Sequence, residues 1–537
     1  MSSGNRPAQP SGRVLSLSLP EWLFLASVVL AWAIFVVCRG EDRAWDFRNY
    51  HWYIPYAFLH GRMAFDVAVA HQATFYNPLV DIPFYWLATH FHSWIALGLL
   101  GCVQGANVVP LYLIARSILQ LEQKEITAAI LALLGMTGSL TLYLAGTTYY
   151  DNIMSVFVLA GLALIIANRE TLREGAPWRG AAVAGLAGFL VGSAVGLKLP
   201  ETPFALGFAA ALAVLQGDWR HRVPRLLAGG VGGVAGAALF AGFWFVKMAH
   251  LTGNPLFPYF NQYFHSPLAL AASYRDVRFI PAGLKLQLLF PLLFSINWGV
   301  ADDLPFHDVR VGLAYVLVIA TLFVALFWLK KRESLVAADG AWALLCFAIA
   351  SYIAWLKIFG IYRYILLLEI MAPLLIVVCV ALWPLAARTR LCIAGVLLAA
   401  IVCLTHADLP ERAPVGDPYI QVTIPPIANP DKTMILMTGE APLGFLAPSF
   451  PAQIPIVRID GWMMAPKDGS EMTARTRARV ASFKGDLYVV FNPYEGLRNR
   501  DALKTYGLAI LAPKCRDIVT NLGGPYGFCP LTKAPNP

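Results

Sequence analysis

Charge is what this sequence is short of. Of its 537 residues only 14% are Asp, Glu, Lys or Arg, against about 25% in a soluble globular chain. An ordinary soluble enzyme and a disordered segment are both excluded by that figure together with 58% hydrophobic content. Cysteine is also sparse, at eight residues. No CxxC or clustered His/Cys spacing is present, so nothing points to zinc, and a disulfide-dense scaffold is excluded. No small-x-small cleavage site follows the first apolar run, Leu19 to Cys38. Val37 stands where a lipoprotein site needs a small residue, so the run reads as an uncleaved first transmembrane helix. No internal repeat stands out, which leaves an inverted-repeat transporter unsupported.

What is present is apolar length. A bilayer needs about 20 residues per helical crossing. Eleven runs qualify, at about 19–38, 94–119, 126–146, 152–168, 181–197, 202–216, 226–246, 310–329, 341–356, 361–384 and 391–405. The expectation is a mainly α-helical polytopic membrane protein with about 11 transmembrane helices over residues 1–406. Lys124, Arg169–Arg173–Arg179, Arg220–Arg222–Arg225, Lys330–Lys331–Arg332 and Arg388–Arg390 then fall on the side of the N-terminus, which the positive-inside rule makes the cytoplasm. Residues 284–300 also look apolar but contain Lys285, Gln287, Pro291 and Asn297, and are placed as a re-entrant or interfacial segment. Much of the net charge of +9 is therefore orientation, with no call for nucleic acid. The expected setting is the inner (cytoplasmic) membrane of a bacterium, with large outer loops at about 39–93 and 247–309.

From about residue 407 the chain becomes polar and Pro-rich. TMILMTG, IPIVRID, DLYVVFN and LAILA read as strands, with helical stretches between them. This alternation predicts a small extracytoplasmic α/β domain over 407–537 with a mainly parallel sheet. It carries no GxGxxG and no P-loop, so nucleotide binding is unsupported. Cys515 and Cys529, fourteen residues apart on the outer side, are candidates for a disulfide. The other six cysteines lie in or at the ends of apolar runs and read as small buried hydrophobes.

The first outer loop holds acids, three histidines and many aromatics. Asp46 is placed to cap a helix, FRNYHWYIPYAFLHG, that would lie along the membrane surface with its rings in an interfacial belt. An aromatic–Asn–Pro–Leu turn follows at Tyr76-Asn77-Pro78-Leu79. Asp151 stands between spans 3 and 4, Lys198-Leu199-Pro200 joins spans 5 and 6, and Arg363-Tyr364 opens a later span. By topology, two acids and two cations gather at one membrane face. Each also has a plainer reading: a cap for Asp151, a snorkelling side chain for Lys198, an interfacial anchor for Arg363. In the middle loop, Arg275, Asp276 and Arg278 read first as a salt-bridged turn, and Asp302-Asp303 with His307 and Asp308 as a solvated acidic turn or an oxygen-ligand cation site.

This order of features resembles the GT-C superfamily of integral membrane glycosyltransferases, which includes protein O-mannosyltransferases and lipid A aminoarabinose transferases. The resemblance covers about residues 19–384. Asp46 is similar to the family's first-loop acid, Asn77-Pro78-Leu79 to its Pro-Pro-Leu turn, and Asp151 to its second acid. Lys198-Leu199-Pro200 is similar to its Lys-Gly-Pro turn and Arg363-Tyr364 to its Arg-Tyr. Phe47 follows Asp46 where the family has an acid pair, although Glu41-Asp42 stand upstream. The resemblance implies an enzyme that transfers a sugar from a polyprenyl-phosphate donor to a glycan, lipid or protein acceptor. It implies Asp46 as base, with Asp151 orienting the acceptor or helping to bind a divalent cation that the sequence itself does not require. Lys198 and Arg363 would hold the phosphate. Arg48, His51, Tyr76, Asn77, Tyr150, Arg275, Arg278 and Tyr364 complete the expected substrate contacts. The competing readings are a lipid or solute transporter and a non-catalytic envelope assembly protein.

Overall fold

The computed structural model describes residues 16–327 and 334–534. All eleven apolar runs contain helix. Among the described residues, eight helices are long and apolar enough to cross a membrane: Leu19–Arg39, Ser93–Ile118, Pro177–Leu197, Trp219–Thr252, Arg310–Phe327, Ala338–Ile358, Tyr362–Ala381 and Ala387–Leu404. The remaining runs fold as shorter helices. The 126–146 run breaks after Gly135 and restarts as the short helix Ser139–Tyr143. The break is made by a neighbour. A Cβ on Gly138 would stand 2.0 Å from Glu369 Oε1, and Glu369 accepts from Thr141 N at 2.8 Å and from Tyr362 Oη at 3.0 Å. A hydropathy window registers the apolar residues on both sides of the break and counts one span. The Leu284–Ile296 helix has 13 residues and rises about 20 Å, short of the hydrocarbon thickness of about 30 Å.

Tyr362–Ala381 is the centre of the bundle. Its apolar residues run all the way round and nearly all are buried, as expected for a helix enclosed on every side. Pro177–Leu197 and Trp219–Thr252 make the closest helix pair. A Cβ on Gly192 would lie 1.9 Å from Gly233 O, and one on Gly236 would lie 2.2 Å from Phe189 O. Small residues at this spacing let backbones touch where lipid supplies no hydrophobic drive.

The C-terminal part forms a seven-stranded sheet with β1 Val422–Thr423, β2 Thr433–Met437, β3 Ile456–Arg458, β4 Asp486–Phe491, β5 Leu508–Ile510, β6 Arg516–Thr520 and β7 Tyr526–Lys533. β3, β2 and β4 are parallel, whereas β7 runs antiparallel to β4, β5 and β6, and β1 antiparallel to β6. The sheet is thus mixed. The four strands expected from sequence are there, but the sheet is not mainly parallel, because β5 and the unexpected β6 and β7, with their Gly- and Pro-rich turn, pair antiparallel. Cys515 and Cys529 are disulfide-bonded.

This sheet is fastened to the segment after the first helix. Val67 pairs with Val457 as a parallel extension of the β3 edge, through Val67 N–H to Ile456 O at 3.0 Å and Arg458 N–H to Val67 O at 2.9 Å. Buried Asp66 accepts from Arg62 at 2.6 and 2.9 Å and from Ile456 N at 3.0 Å. Glu41 accepts from Gly416 N and from Asn521 Nδ2, each at 2.8 Å.

Candidate functional site

Asp46 does not cap a helix. It has helical backbone angles, makes no capping bond and leads into the π-helical turn Phe47–His51. A π-turn is costly and is found most often where function needs a particular side-chain placement. Here it brings Tyr50 onto Asp46, with Tyr50 Oη donating to Asp46 Oδ2 at 3.0 Å. The following helix, Tyr53–Leu59, is packed inside the molecule; Tyr53, Ile54, Pro55, Tyr56 and Ala57 are buried. Its rings are core, because the C-terminal sheet and the helix bundle cover them, rather than a belt at the membrane surface.

Arg363 ties the distant acids together. Its Nη1 lies 3.2 Å from Asp46 Oδ2 and its Nε 3.9 Å from Asp151 Oδ2. The guanidinium sits 4.2 Å above the Tyr149 ring centre, a cation–π contact that fixes its plane. The Arg363 backbone N–H donates to Asp302 Oδ2 at 2.7 Å. Lys198 caps the end of Pro177–Leu197 in an extended conformation. Its ammonium pairs with Asp151 Oδ1 and donates to Tyr149 O at 2.9 Å. It also lies 5.5 Å from the Tyr364 ring centre. Lys198 therefore turns inward instead of snorkelling. Asp151 is 3% exposed and makes no capping bond at the start of its helix. The residue before it, Tyr150, has φ 64°, a left-handed conformation that a bulky side chain adopts only under constraint.

Four charged residues from four separate stretches of chain thus form one ion cluster, Asp46–Arg363–Asp151–Lys198. Two carboxylates face two cations. Among the described residues, Asp46 Oδ1 has no hydrogen bond, and the Asp46 side chain remains 18% exposed, so one oxygen of this acid is open to an incoming group. Burial raises the Tyr50 and Tyr149 phenols well above their usual range, which keeps both neutral. Asp302 is pushed up to about 6 by burial, against the pull of Arg363.

The other expected contacts divide. Tyr364 flanks the cluster, its ring centre 5.4 Å from the Arg363 guanidinium and 5.5 Å from the Lys198 ammonium, whereas Tyr150 turns its ring to His51, 5.2 Å away. Tyr76 packs edge-on to Tyr50 at 5.4 Å and shares a hydroxyl contact with Tyr259. Asn77 holds the scaffold: its amide donates to Phe240 O at 2.8 Å and Gly196 O at 3.3 Å, and its Oδ1 accepts from Leu79 N. His51 is buried on Asp81, Nδ1 to Oδ1 at 2.6 Å. Burial pushes the imidazole well below its usual value and the carboxyl well above, so the pair shares one proton and carries no net charge. Arg48 points to the C-terminal sheet, where it donates to Tyr526 Oη at 3.1 Å. Arg275 donates to Ile358 O. Arg278 bridges Asp276 and Asp303 at the surface, each at 2.7 Å.

The 302–308 acids do not converge. Asp302 is buried against Arg363, Asp303 pairs with Arg278, His307 with Asp408 and Asp308 with Arg310. Asp302 and Asp308 are buried, not solvated. Among the described residues no group of three or more His, Cys, Asp or Glu is arranged to hold a metal. Between Asp46 and Asp151 the space a divalent cation would take is filled by the guanidinium of Arg363, so this donor set does not fit one.

Tyr50 and Tyr149 escaped the sequence reading, and Asp302, read there as part of an acidic turn or cation site, was not assigned to this cluster. Their signal was adjacency: Tyr50 lies four residues after Asp46, Tyr149 two before Asp151, and Asp302 in an acidic pair close to a predicted outer span. No protein family, curated protein or solved structure matches this chain.

Proposed function

We propose that this chain is a membrane glycosyltransferase of the GT-C type, working on the extracytoplasmic side with a polyprenyl-phosphate sugar as donor. The observation that carries the reading is the cluster of Asp46, Asp151, Lys198 and Arg363, whose paired members lie from 47 to 317 residues apart in sequence and meet at the ends of helices. Charges at helix ends suit chemistry at a membrane face, where phosphate and sugar lie and the prenyl tail stays in lipid.

In the proposed step, Asp46 Oδ1 takes the proton of an acceptor hydroxyl. The hydroxyl oxygen attacks the anomeric carbon from the face opposite the phosphate. The bond from that carbon to the phosphate oxygen breaks, and its electron pair leaves with the lipid phosphate. Lys198 and Arg363 stabilise the charge that develops there. Asp151 keeps the two cations in place. A phosphate that drew Arg363 away from Asp46 would leave that carboxylate to the acceptor, which couples donor binding to base availability.

The test is transfer from radiolabelled polyprenyl-phosphate sugars in membranes containing the wild type, Asp46→Asn or Asp151→Asn, each at matched folded protein. Loss of about 100-fold or more in Asp46→Asn is expected. Full transfer by both variants would refute the assignment.

A further inference from the structure

In open sheets with parallel strands, ligands bind beyond the carboxyl ends of those strands. In this C-terminal sheet the segments that follow the carboxyl ends of the parallel strands β3, β2 and β4 meet. After β2 comes Glu440, after β3 come Asp460 and Trp462, and after β4 comes the helix bearing Arg498. Arg498 joins them, Nε to Asp460 Oδ2 at 2.6 Å and Nη1 to Glu440 Oε1 at 2.5 Å. The Glu440 and Arg498 side chains stay about 40% exposed, so their remaining hydrogen-bonding capacity is open to solvent.

The segment that carries Asp46 packs directly against these strand ends. Trp45 stacks on Trp462 with ring centres 4.6 Å apart and planes 13° apart, and His71 extends the stack, 5.6 Å from Trp462. His71 Nδ1 accepts from Trp462 N at 3.2 Å and fixes the loop. Trp462 nevertheless leaves half its surface exposed. A large ring held rigid, yet half exposed, beside an accepting carboxylate and a donating guanidinium matches a pyranose. The apolar face of the sugar, with its C–H groups, lies on indole, and its hydroxyls donate to Glu440 and accept from Arg498, which buried Asp460 holds in place. Trp45 is the residue before the proposed base.

We infer that the Trp45–Trp462 stack with Glu440, Asp460 and Arg498 is a saccharide site that holds a glycan acceptor with a hydroxyl directed to Asp46. The word acceptor rests on the glycosyltransferase reading; the saccharide site does not. The acceptor class left open among glycan, lipid and protein is thereby assigned to glycan.

The full chain in phosphatidylethanolamine–phosphatidylglycerol nanodiscs, free of sugar detergents, is titrated with maltotriose, cellotriose, mannotriose and chitotriose by saturation-transfer NMR. At least one trisaccharide is expected to bind the wild type. Trp462→Ala should weaken that ligand at least tenfold, Trp462→Phe should restore most of the affinity, and Glu440→Gln should weaken it several-fold. Wild type that binds none of the four, or equal binding by Trp462→Ala, overturns the saccharide site whatever the transfer assay gives. Trp462-dependent binding without transfer from any polyprenyl-phosphate sugar upholds this site and overturns the catalytic reading.

Discussion

Replacing Arg363 with Lys separates what this side chain does for the fold from the role at the donor phosphate proposed for it. Arg363 reaches Asp46 at 3.2 Å and Asp151 at 3.9 Å from two different nitrogens while lying flat on Tyr149. A single ammonium cannot hold all three positions. Charge is conserved, however, and neither acid is orphaned, because Asp151 keeps Lys198 and Asp46 keeps Tyr50. The stability loss should therefore stay near 1 kcal/mol, well below the roughly 3–5 kcal/mol that removing a buried partner outright costs. Transfer should suffer more. Loss of one oriented donor to a developing oxyanion is worth about 100- to 1000-fold in rate. The assay is the initial rate of transfer at saturating donor, normalised to folded protein by size exclusion. The Arg363→Lys change is combined with Asp46→Asn in a double-mutant cycle. If Arg363 stabilises the leaving phosphate, the two losses multiply. If it serves only to hold Asp46, the double variant is no slower than Asp46→Asn alone. Arg363→Lys transferring within threefold of wild type would refute the placement of the phosphate on Arg363.

Two further outcomes follow from the packing and the loops. Gly192→Ala should lower the thermal midpoint in nanodiscs, since its Cβ would lie 1.9 Å from Gly233 O, whereas Gly185→Ala, whose Cβ meets Ala228 O at an ordinary 3.5 Å, should leave it nearly unchanged; equal midpoints would disprove the close approach. Glu41 is raised by burial to about 7 from the ordinary 4.5, so the folded state binds its proton more tightly and the stability it contributes, on the order of 2–3 kcal/mol, is full below about pH 4.5 and is lost as pH rises through 7. The paired amides of Glu41 and Ala413 should then exchange faster at pH 8 than at pH 6 after correction for intrinsic rates, and Glu41→Gln should abolish that difference; an unchanged pH dependence would remove Glu41 as its source.

Legibility in the sequence followed the range of the interaction. The apolar runs were visible because lipid imposes composition directly, yet the break at Gly138 was not, since its cause is Glu369 on a helix 231 residues later. The strands of the parallel half of the C-terminal sheet were visible as alternating apolar runs. β6 and β7 lie around a Gly-Gly-Pro turn and have little apolar alternation, so pairing alone defines them. Topology placed the four charges at one face but could not give their partners. Asp46 read as a cap because Asp before a helix usually is one, and a π-turn leaves no sequence mark. Asn77 read as a substrate contact because its turn is family-like. Its amide is spent on two helix carbonyls that only the Gly-mediated helix contact brings within reach.

The pairing of Val67 with Val457 also sets a clock. At about 5–20 residues per second of synthesis, the stretch between Asp66 and its partner Ile456, 390 residues later, takes roughly 20–80 s to emerge. For that interval Arg62, Asp66 and Val67 lack their partners at Ala452, Ile454, Ile456 and Arg458, and the Asp46 turn beside them lacks the wall that holds it. The ribosome thus finishes the scaffold of the first acid almost last, and a chain cut short after the final apolar helix would carry every member of the ion cluster without the strand edge that anchors the segment bearing Asp46.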